Sequence, residues 1–533
     1  MPAITNSRNS RASSTRRRGK KSASASQAGG GAGALVLLAL VLSALSAAAI
    51  WFTYSRGWTL YYGDAAAHLN IARRVIDSRD PGWGQVGTVW LPLPHLLMLP
   101  LVWVDGLWRS GLAGAIPAAL CFVLAGCFLF LATRRAFGDV YAATCAALVL
   151  ALNPNLLYLQ STPMTEPVFL AAVAALLYFT LRFRDTQSWR SLLAAAAATS
   201  AATMTRYEGW FLAPFAALYI LAAAKDQRVK KAVVFAGLAA LVPALWLVHN
   251  YAYYGNALAF YNGPSSAKAI YQRALDAGMA RYPGDGEWKK ALLYVRAAVA
   301  LCAGMPLVWI GRAGFIAALL KRRFWPAALL ALMPLFYVWS LHSGGTPIFV
   351  PHLWPNAWYN TRYGLAALPL LAFGAGALVA LAPAKLRPFA AVVVVAAAVA
   401  PWLAYPRPEA WICCKESQVN SEARRAWTRE TAAYLQANYH RGEGILTTFG
   451  DLAGIYQQAG IPLRETHNDC SRSWRRLTES AHPEIREKWA VAFSGDAVAR
   501  TISRVRSTGA RYDLVKTITV KGAPVVEVYR RQP

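Results

Sequence analysis

Charged residues are scarce in this sequence. They account for 15% of its 533 residues, whereas hydrophobic residues account for 56%. So apolar a composition excludes an ordinary soluble protein of this length. Acidic residues are scarcer than basic ones: the sequence has 26 Asp and Glu but 55 Lys and Arg. The net charge is therefore +29. No folded basic domain holds that excess, so the sequence does not indicate nucleic-acid binding.

Long apolar runs are what the sequence has instead. About twenty apolar residues in a row are needed to cross a bilayer, and such runs recur through most of the chain. They predict a polytopic α-helical membrane protein with about eleven transmembrane helices. The predicted spans are 33–53, 112–133, 139–157, 165–182, 189–205, 209–223, 232–250, 292–311, 324–341, 363–382 and 388–404.

Basic clusters between these spans predict the orientation of the chain. Residues 1–32 carry arginines and lysines but no acidic residue, and because such a segment cannot bury a core we expect a disordered tail. Further basic clusters follow every second span, and the positive-inside rule assigns them to the cytoplasm. We therefore predict a multi-pass protein of the cell (inner) membrane with a cytoplasmic amino terminus. The clusters lie at 134–135, 182–190, 225–231, 321–323 and 385–387.

This orientation divides the rest of the chain into two domains. Residues 33–405 form the transmembrane domain, whose first extracytoplasmic loop is 54–111. Residues 406–533 are more charged, with helical periodicity at 418–439 and then four strand-like runs: GILTTF, KWAVAF, RYDLVKTITV and PVVEVYR. They predict a small extracytoplasmic α/β domain that covers the active site or binds an acceptor, the alternative being a cap that only stabilises the protein.

Cysteine is also scarce, with seven residues in the chain. Cys413, Cys414 and Cys470 lie in the predicted extracytoplasmic domain, where oxidation is permitted. The sequence therefore allows a disulfide between Cys470 and either member of the adjacent pair.

The first extracytoplasmic loop places polar groups at the membrane surface. The stretch LYYGDAAAHLNIARR (60–74) puts Asp64 at the start of an amphipathic helical pattern and His68 one turn later on the same face. Asp64 is either a helix cap or a functional carboxylate. The apolar segment 87–108 follows, broken by prolines, and such a segment is typical of one that lies in the interface.

Other predicted extracytoplasmic loops carry ionisable groups at the same level. Glu166 stands in STPMTEPVF, Arg206 and Glu208 in MTRYEGW, and Arg362 in WYNTRYG. Ionisable groups at the edge of the hydrocarbon are costly, so they are paired or functional. Arginines there suit a lipid phosphate, which a guanidinium binds with two hydrogen bonds. The alternative is that Arg206 and Arg362 pair only with these carboxylates or with headgroups.

These motifs, in this order and spacing, resemble the GT-C superfamily of membrane glycosyltransferases. The first-loop Gly-Asp, the WLPLPHLLMLPL ledge, MTEP and TRYEG carry the resemblance, which extends over residues 33–400. The sequence is similar above all to bacterial glycosyltransferase family 39-like members, which are related to protein O-mannosyltransferases and to the lipid A aminoarabinose transferase. The resemblance implies transfer of a sugar from a polyprenyl-phosphate donor to a protein, lipid or glycan acceptor on the extracytoplasmic face.

The resemblance also implies a catalytic role for Asp64, the acidic residue of the first loop. Some relatives carry a paired acid there, whereas Ala65 and Ala66 follow here. A divalent metal is therefore not supported by a paired acidic motif, and Asp64 with His68 offers only two ligands. The sequence therefore identifies no cofactor, although it allows a divalent metal.

Sugar transfer needs a carboxylate to take the acceptor's proton and cations to stabilise the departing lipid phosphate. We therefore predict Asp64 as the catalytic base. The candidates for donor phosphate binding are Arg206, Arg362 and Arg74. The candidates for substrate or acceptor contacts are His68, His95, Glu166, Glu208, Tyr207 and Tyr363.

Two other functions fit a chain of this composition. A transporter also has many spans, but it is expected to show repeated halves and polar groups at mid-membrane. A non-catalytic protein that binds a lipid carrier during cell-envelope assembly would share the fold and lack the chemistry. The gathering of polar groups at one predicted surface favours the glycosyltransferase.

Overall fold

Long apolar helices form the first three quarters of the chain, and a small mixed sheet follows. The computed structural model describes residues 10–480, 484–505 and 511–532. Within these residues, seven helical segments are long and apolar enough to cross a membrane. They are Ala32–Ser55 in α1 (Ser10–Ser55), α5 (Leu112–Phe137), α8 (Glu166–Thr186), α11 (Arg228–Tyr254), α16 (Phe324–His342), Thr361–Leu381 with α17 (Leu368–Leu381), and Ala384–Ala404 with α18 (Arg387–Ala404).

Shorter helices connect and flank these spans. Those of the first loop are α2 (Gly63–Ile76), α3 (Leu93–Val102) and α4 (Asp105–Ser110). Those between the later spans are α6 (Val140–Ala151), α7 (Pro154–Leu159), α9 (Trp189–Thr203), α10 (Tyr207–Ala223), α12 (Ala259–Asn262), α13 (Ala267–Asp276), α14 (Trp288–Ala303) and α15 (Met305–Leu320).

The predicted number of about eleven spans is not confirmed, because four of the predicted runs are short or broken helices. The run 139–157 is interrupted where Asn153 caps α7 and Pro154 begins it. The runs 189–205 and 209–223 form helices of 15 and 17 residues. The run 292–311 contains a bend of 109° between α14 and α15, at Gly304, whose φ of +80° favours glycine. Counted as one span, this bent pair makes eight in the described residues.

The predicted tail, residues 1–32, falls partly outside the described residues, which begin at residue 10. From Ser10 the backbone is helical and continues without a break into the apolar part of α1. For residues 10–32 the structure thus has a helix where the composition indicated disorder.

The carboxy-terminal domain is built on a five-stranded sheet with the order β2-β1-β3-β5-β4. The predicted strand runs correspond to β1 (Ile445–Thr447), β3 (Trp489–Phe493), β4 (Tyr512–Ile518) and β5 (Val526–Arg531). The short β2 (Thr466–His467) was not predicted. Strands β2, β1 and β3 are parallel, and β5 is antiparallel to β3 and β4. The helices are α19 (Ile412–Asn438), α20 (Ala453–Ala459), α21 (Trp474–Glu479) and α22 (Ala497–Val505).

This domain packs on the first loop through buried polar contacts. Asn70 of α2 accepts a hydrogen bond from Trp108 Nε1 at 3.0 Å and donates to Gln457 Oε1 at 3.1 Å. Gln457 Nε2 returns a bond to the Trp108 carbonyl at 2.8 Å. Arg79 pairs with Glu487 at 2.5 Å. The first loop and the carboxy-terminal domain therefore lie on the same side of the helix bundle.

The allowed disulfide is not formed, since none of the seven cysteines takes part in a disulfide bond. Cys413 and Cys414 begin α19 and are fully buried in the core of the membrane domain. Cys470 packs instead in a second core, between the first loop and the sheet. Its thiol accepts a hydrogen bond from Arg74 Nη1 at 2.9 Å. Cys470 therefore packs in a different core from Cys413 and Cys414, and the disulfide that the sequence allowed does not form.

Candidate active site

Arg362 lies at the centre of a buried cluster of charges and contacts carboxylates from three parts of the chain. Its Nη2 is 2.5 Å from Asp64 Oδ2 in α2, and its Nε is 3.1 Å from Glu166 Oε1 in α8. Its Nη1 is 3.4 Å from Glu416 Oε1 in α19. One guanidinium thus joins the first loop, the helix bundle and the carboxy-terminal domain.

Arg206 is the second cation of the cluster. Its Nε donates to Glu208 Oε1 at 2.7 Å, and its Nη1 donates to Thr165 Oγ1 at 2.8 Å and to Glu166 Oε1 at 3.1 Å. Its Nη2 donates to the hydroxyl of Tyr337 at 2.9 Å, and that hydroxyl donates to Glu208. Both arginines of the cluster therefore pair with nearby carboxylates.

Glu166 connects the two arginines, because its Oε1 accepts from both of them. It occupies the first turn of α8, where a carboxylate is favoured by the helix dipole. Its Oε2 is buried and has no hydrogen-bond partner among the described residues. A small cavity opens beside it, lined by Glu166, Arg206, Glu208, Tyr337, Arg362 and Tyr363, and by the apolar Phe169, Leu170, Leu365 and Ala366.

Asp64 occupies the rim of the cluster. The N-cap residue of α2 is Tyr62, and Asp64 stands in the first turn of that helix, where the helix dipole favours a carboxylate. The side chain is 42% exposed. Only Oδ2 has a partner within the described chain, which leaves Oδ1 open towards solvent.

Glu416 is a member of the cluster that the sequence did not reveal. Its side chain is 1% exposed, and it accepts hydrogen bonds from the backbone N–H groups of Asn360 and Thr361 at 3.0 and 2.8 Å and from the Thr361 hydroxyl. Asn360 has a φ of +55°, which turns two consecutive N–H groups towards one carboxylate. Burial raises the pKa of Glu416, although Arg362 and Thr361 oppose this. Glu416 does not stand out in the sequence, because it lies in a charged helix outside the spans.

Helix α19 also holds the backbone that precedes Asp64. Arg424 Nη2 donates to the carbonyls of Leu60 and Tyr61 at 3.3 and 2.6 Å. Arg425 Nη1 donates to the Tyr61 hydroxyl at 3.1 Å, and its guanidinium lies 4.1 Å above the Tyr61 ring. The carboxy-terminal domain thus fixes both the approach to Asp64 and the environment of its partner Arg362.

His68 and His95 form a buried pair next to the cluster. His68 Nδ1 is 3.0 Å from His95 Nε2, and the His68 ring lies 4.4 Å from that of Trp90. Burial, followed by the charges of Arg206 and Arg362, lowers the pKa of His68 to about 3. His68 is therefore neutral at physiological pH and its pair with His95 is a hydrogen bond between uncharged rings.

Of the remaining predicted site residues, the structure brings Tyr363 into the cluster and leaves two outside. The Tyr363 ring lies 5.1 Å from the Arg362 guanidinium. Arg74 donates to the Gln85 carbonyl at 2.5 Å and to Cys470, facing the carboxy-terminal domain. Tyr207 donates to the Val89 carbonyl at 2.8 Å. In the described residues there is no group of three or more His, Cys, Asp or Glu side chains placed to bind a metal.

The helix bundle, the ordered first loop and the carboxy-terminal domain together have a fold similar to that of ArnT, a GT-C glycosyltransferase of known structure. The sequence of residues 108–251 matches the family described as dolichyl-phosphate-mannose-protein mannosyltransferase. The chain is similar to the structure of ArnT from Cupriavidus metallidurans bound to undecaprenyl phosphate, with a TM-score of 0.53 and 14% identity over 93% of this chain and 97% of that one. The resemblance inferred from the motifs is confirmed.

Two further solved structures are similar to this chain. ArnT from the same organism in the apo state has a TM-score of 0.53 and 16% identity, over 92% of this chain and 97% of that one. The Archaeoglobus fulgidus oligosaccharyltransferase has a TM-score of 0.47 and 15% identity, over 86% and 68% of the two chains. A search of curated protein sequences gives no match.

Proposed function

We propose that this protein transfers a sugar from a polyprenyl-phosphate donor to a hydroxyl group of an acceptor at the extracytoplasmic face of the membrane. The observation that carries the proposal is the state of Asp64. One carboxylate oxygen is anchored by Arg362, while the other is open at the rim of the cluster. A general base requires this combination of fixed direction and free lone pair.

The reaction uses the cluster in one displacement. Asp64 Oδ1 accepts the proton of the acceptor hydroxyl while the acceptor oxygen forms a bond to the anomeric carbon. The bond from that carbon to the phosphate oxygen breaks, and the polyprenyl phosphate leaves with the electron pair. The incoming hydroxyl and the departing phosphate lie on opposite faces of the sugar, so inversion is the expected stereochemical outcome.

Arg206 and Arg362 are the groups that would stabilise the departing phosphate. A guanidinium has five N–H donors, and the contacts to described residues leave one of them free on Arg206 and two on Arg362. The neighbouring cavity has an apolar wall beside the two arginines, formed by Phe169, Leu170, Leu365 and Ala366. A similar fold binds undecaprenyl phosphate in ArnT, which supports a lipid-phosphate donor here.

The test is direct. Purified protein is incubated with a panel of short-chain polyprenyl-phosphate sugars, and released polyprenyl phosphate is measured with and without cell-envelope membranes of the source organism as acceptor. Release by the wild type that is lost in Asp64→Asn supports the proposal. Binding of the lipid phosphate without any release by the wild type would instead indicate a non-catalytic carrier-binding protein.

A further inference from the structure

A second cleft, of about 550 Å³, opens beside the start of α14, away from the charge cluster. Its volume lies within the range of small-molecule sites in proteins. Three aromatic side chains line it together with two acidic and two basic ones. These are Tyr282, Tyr294 and Trp354, with Asp285, Glu287, Arg281 and Lys290.

Ring stacking and hydrogen bonds hold the walls of this cleft in place. Tyr282 stacks on Tyr271 with ring centroids 3.8 Å apart. The Tyr271 hydroxyl donates to Asp285 Oδ2 and accepts from the Tyr282 N–H, both at 2.9 Å. Tyr294 donates its hydroxyl proton to the Trp354 carbonyl, which ties the opposite wall to α14. The cleft is therefore formed before any ligand binds.

The lining suits a saccharide. The Trp354 side chain is 57% exposed, so its indole face is available to stack on the C–H groups of a pyranose ring. Carboxylates and cations at the rim accept hydrogen bonds from hydroxyl groups and donate to them. Lys290 pairs with Glu287 at 2.7 Å, so an apolar ligand would have to bury this ion pair together with the Arg281 cation.

The cleft is connected to Asp64 through one short segment. The Tyr282 ring contacts Phe349 at 6.0 Å, and Phe349 contacts Tyr359 at 5.9 Å. Phe349 and Tyr359 also form a β-bridge, which places the chain between them, including Trp354, in a closed loop. Burial, followed by the negative charge of Asp64, raises the pKa of Tyr359 to about 12, so this end of the segment lies within the field of the base.

We propose that this cleft binds a saccharide portion of the acceptor and holds the acceptor while its hydroxyl group, on another part of the molecule, reaches Asp64. The inference rests on the proposed function, and it narrows the acceptor from protein, lipid or glycan to a molecule that carries a glycan. Trp354 is the stacking platform of the site. Arg281, exposed and without a partner among the described residues, is free to bind ligand oxygens.

The experiment measures transfer of a tagged sugar from the donor that the wild type consumes into cell-envelope membranes of the source organism, at increasing membrane concentration. For Trp354→Ala we expect at least a tenfold increase in the acceptor concentration that gives half-maximal transfer, with the KM for donor unchanged. Trp354→Tyr keeps an aromatic face and should recover most of the loss. Trp288→Ala is the matched control, because Trp288 is also an exposed tryptophan, at the start of α14, but it stacks on His342 and does not line the cleft.

Equal acceptor dependence in wild type and Trp354→Ala would overturn the assignment of the cleft. Equal losses in Trp354→Ala and Trp288→Ala would also overturn it, because they would indicate that both tryptophans only anchor the protein in the membrane interface. Transfer to membranes freed of glycan at the wild-type rate would also overturn it. Absence of lipid phosphate release by the wild type with every donor would instead contradict the proposed function itself.

Discussion

Asp64 is held by Arg362 through one oxygen only. The distance from Arg362 Nη2 to Asp64 Oδ2 is 2.5 Å, and Oδ1 makes no contact with a polar group of the described chain. Arg362 is in turn fixed by Glu166 and Glu416. The direction of the proposed base is therefore set by residues that do not themselves meet the acceptor.

Glu416→Gln tests this chain of contacts. The amide keeps a hydrogen-bond acceptor for the Thr361 N–H but loses the charge that faces Arg362, so we expect Arg362 and with it Asp64 to shift. Misplacement by about 1 Å costs about a hundredfold in rate, so the maximal transfer rate should fall tenfold to about a hundredfold. Glu422→Gln, an exposed residue of the same helix, is the control. An unchanged maximal rate in Glu416→Gln would show that the domain does not position the site.

Asp64, Glu166, Arg206 and Arg362 could be predicted from the sequence because ionisable residues stand out at the ends of apolar runs. Their pairing could not, since it depends on how helices distant in sequence pack together. Glu416 was missed for a related reason. It lies in a segment where charge is ordinary, and only the packing of α19 into the membrane domain makes it a buried member of the site.

The fold, too, could be predicted from the sequence only in part. Hydropathy located the seven long spans, and strand periodicity located four of the five strands. It could not distinguish a span from a bent pair such as α14 and α15, because bending at Gly304 leaves composition unchanged. Nor could spacing show that Cys470 packs in a different core from Cys413.

Arg362→Lys should impair donor use more than stability of the fold. A lysine is a point charge that cannot contact Asp64 and Glu166 and also bind a phosphate through two parallel hydrogen bonds. We expect the KM for donor to increase about tenfold and the maximal rate to fall as well, measured as lipid phosphate release at saturating and limiting donor. Arg74→Lys, which lies outside the cluster, should leave the KM for donor unchanged. An unaltered KM in Arg362→Lys would remove the phosphate role from this residue.

Gly314→Ala should destabilise the helix bundle. A Cβ at this position would overlap with the backbone of Gly374 where α15 crosses α17. Overpacking of this kind costs about 1–3 kcal/mol, so the thermal unfolding temperature in detergent should decrease. Gly237→Ala in α11 meets no atom within 4 Å, and it should have no such effect. Equal unfolding temperatures for the two variants would contradict this close crossing.

His68 should make the protein less stable in acid. Its pKa is lowered to about 3 by burial, whereas an unfolded histidine titrates near 6.5. Above pH 6.5 both states are neutral; between pH 6.5 and about 3 the unfolded state binds the extra proton, so stability falls as the pH decreases. At pH 5 the cost is about 2 kcal/mol. His68→Gln should reduce the slope of unfolding temperature against pH in this window, and an unchanged slope would contradict a neutral buried His68.

The most direct test of the account is the rate of sugar transfer by Asp64→Asn. The amide preserves the size of the side chain, and the variant should insert into membranes and unfold at the wild-type temperature. It cannot accept the acceptor's proton, so at saturating donor and acceptor we expect the rate of lipid phosphate release to fall by about two to four orders of magnitude. Release at the wild-type rate by a folded Asp64→Asn protein would contradict the account and would move the base to another carboxylate of the cluster.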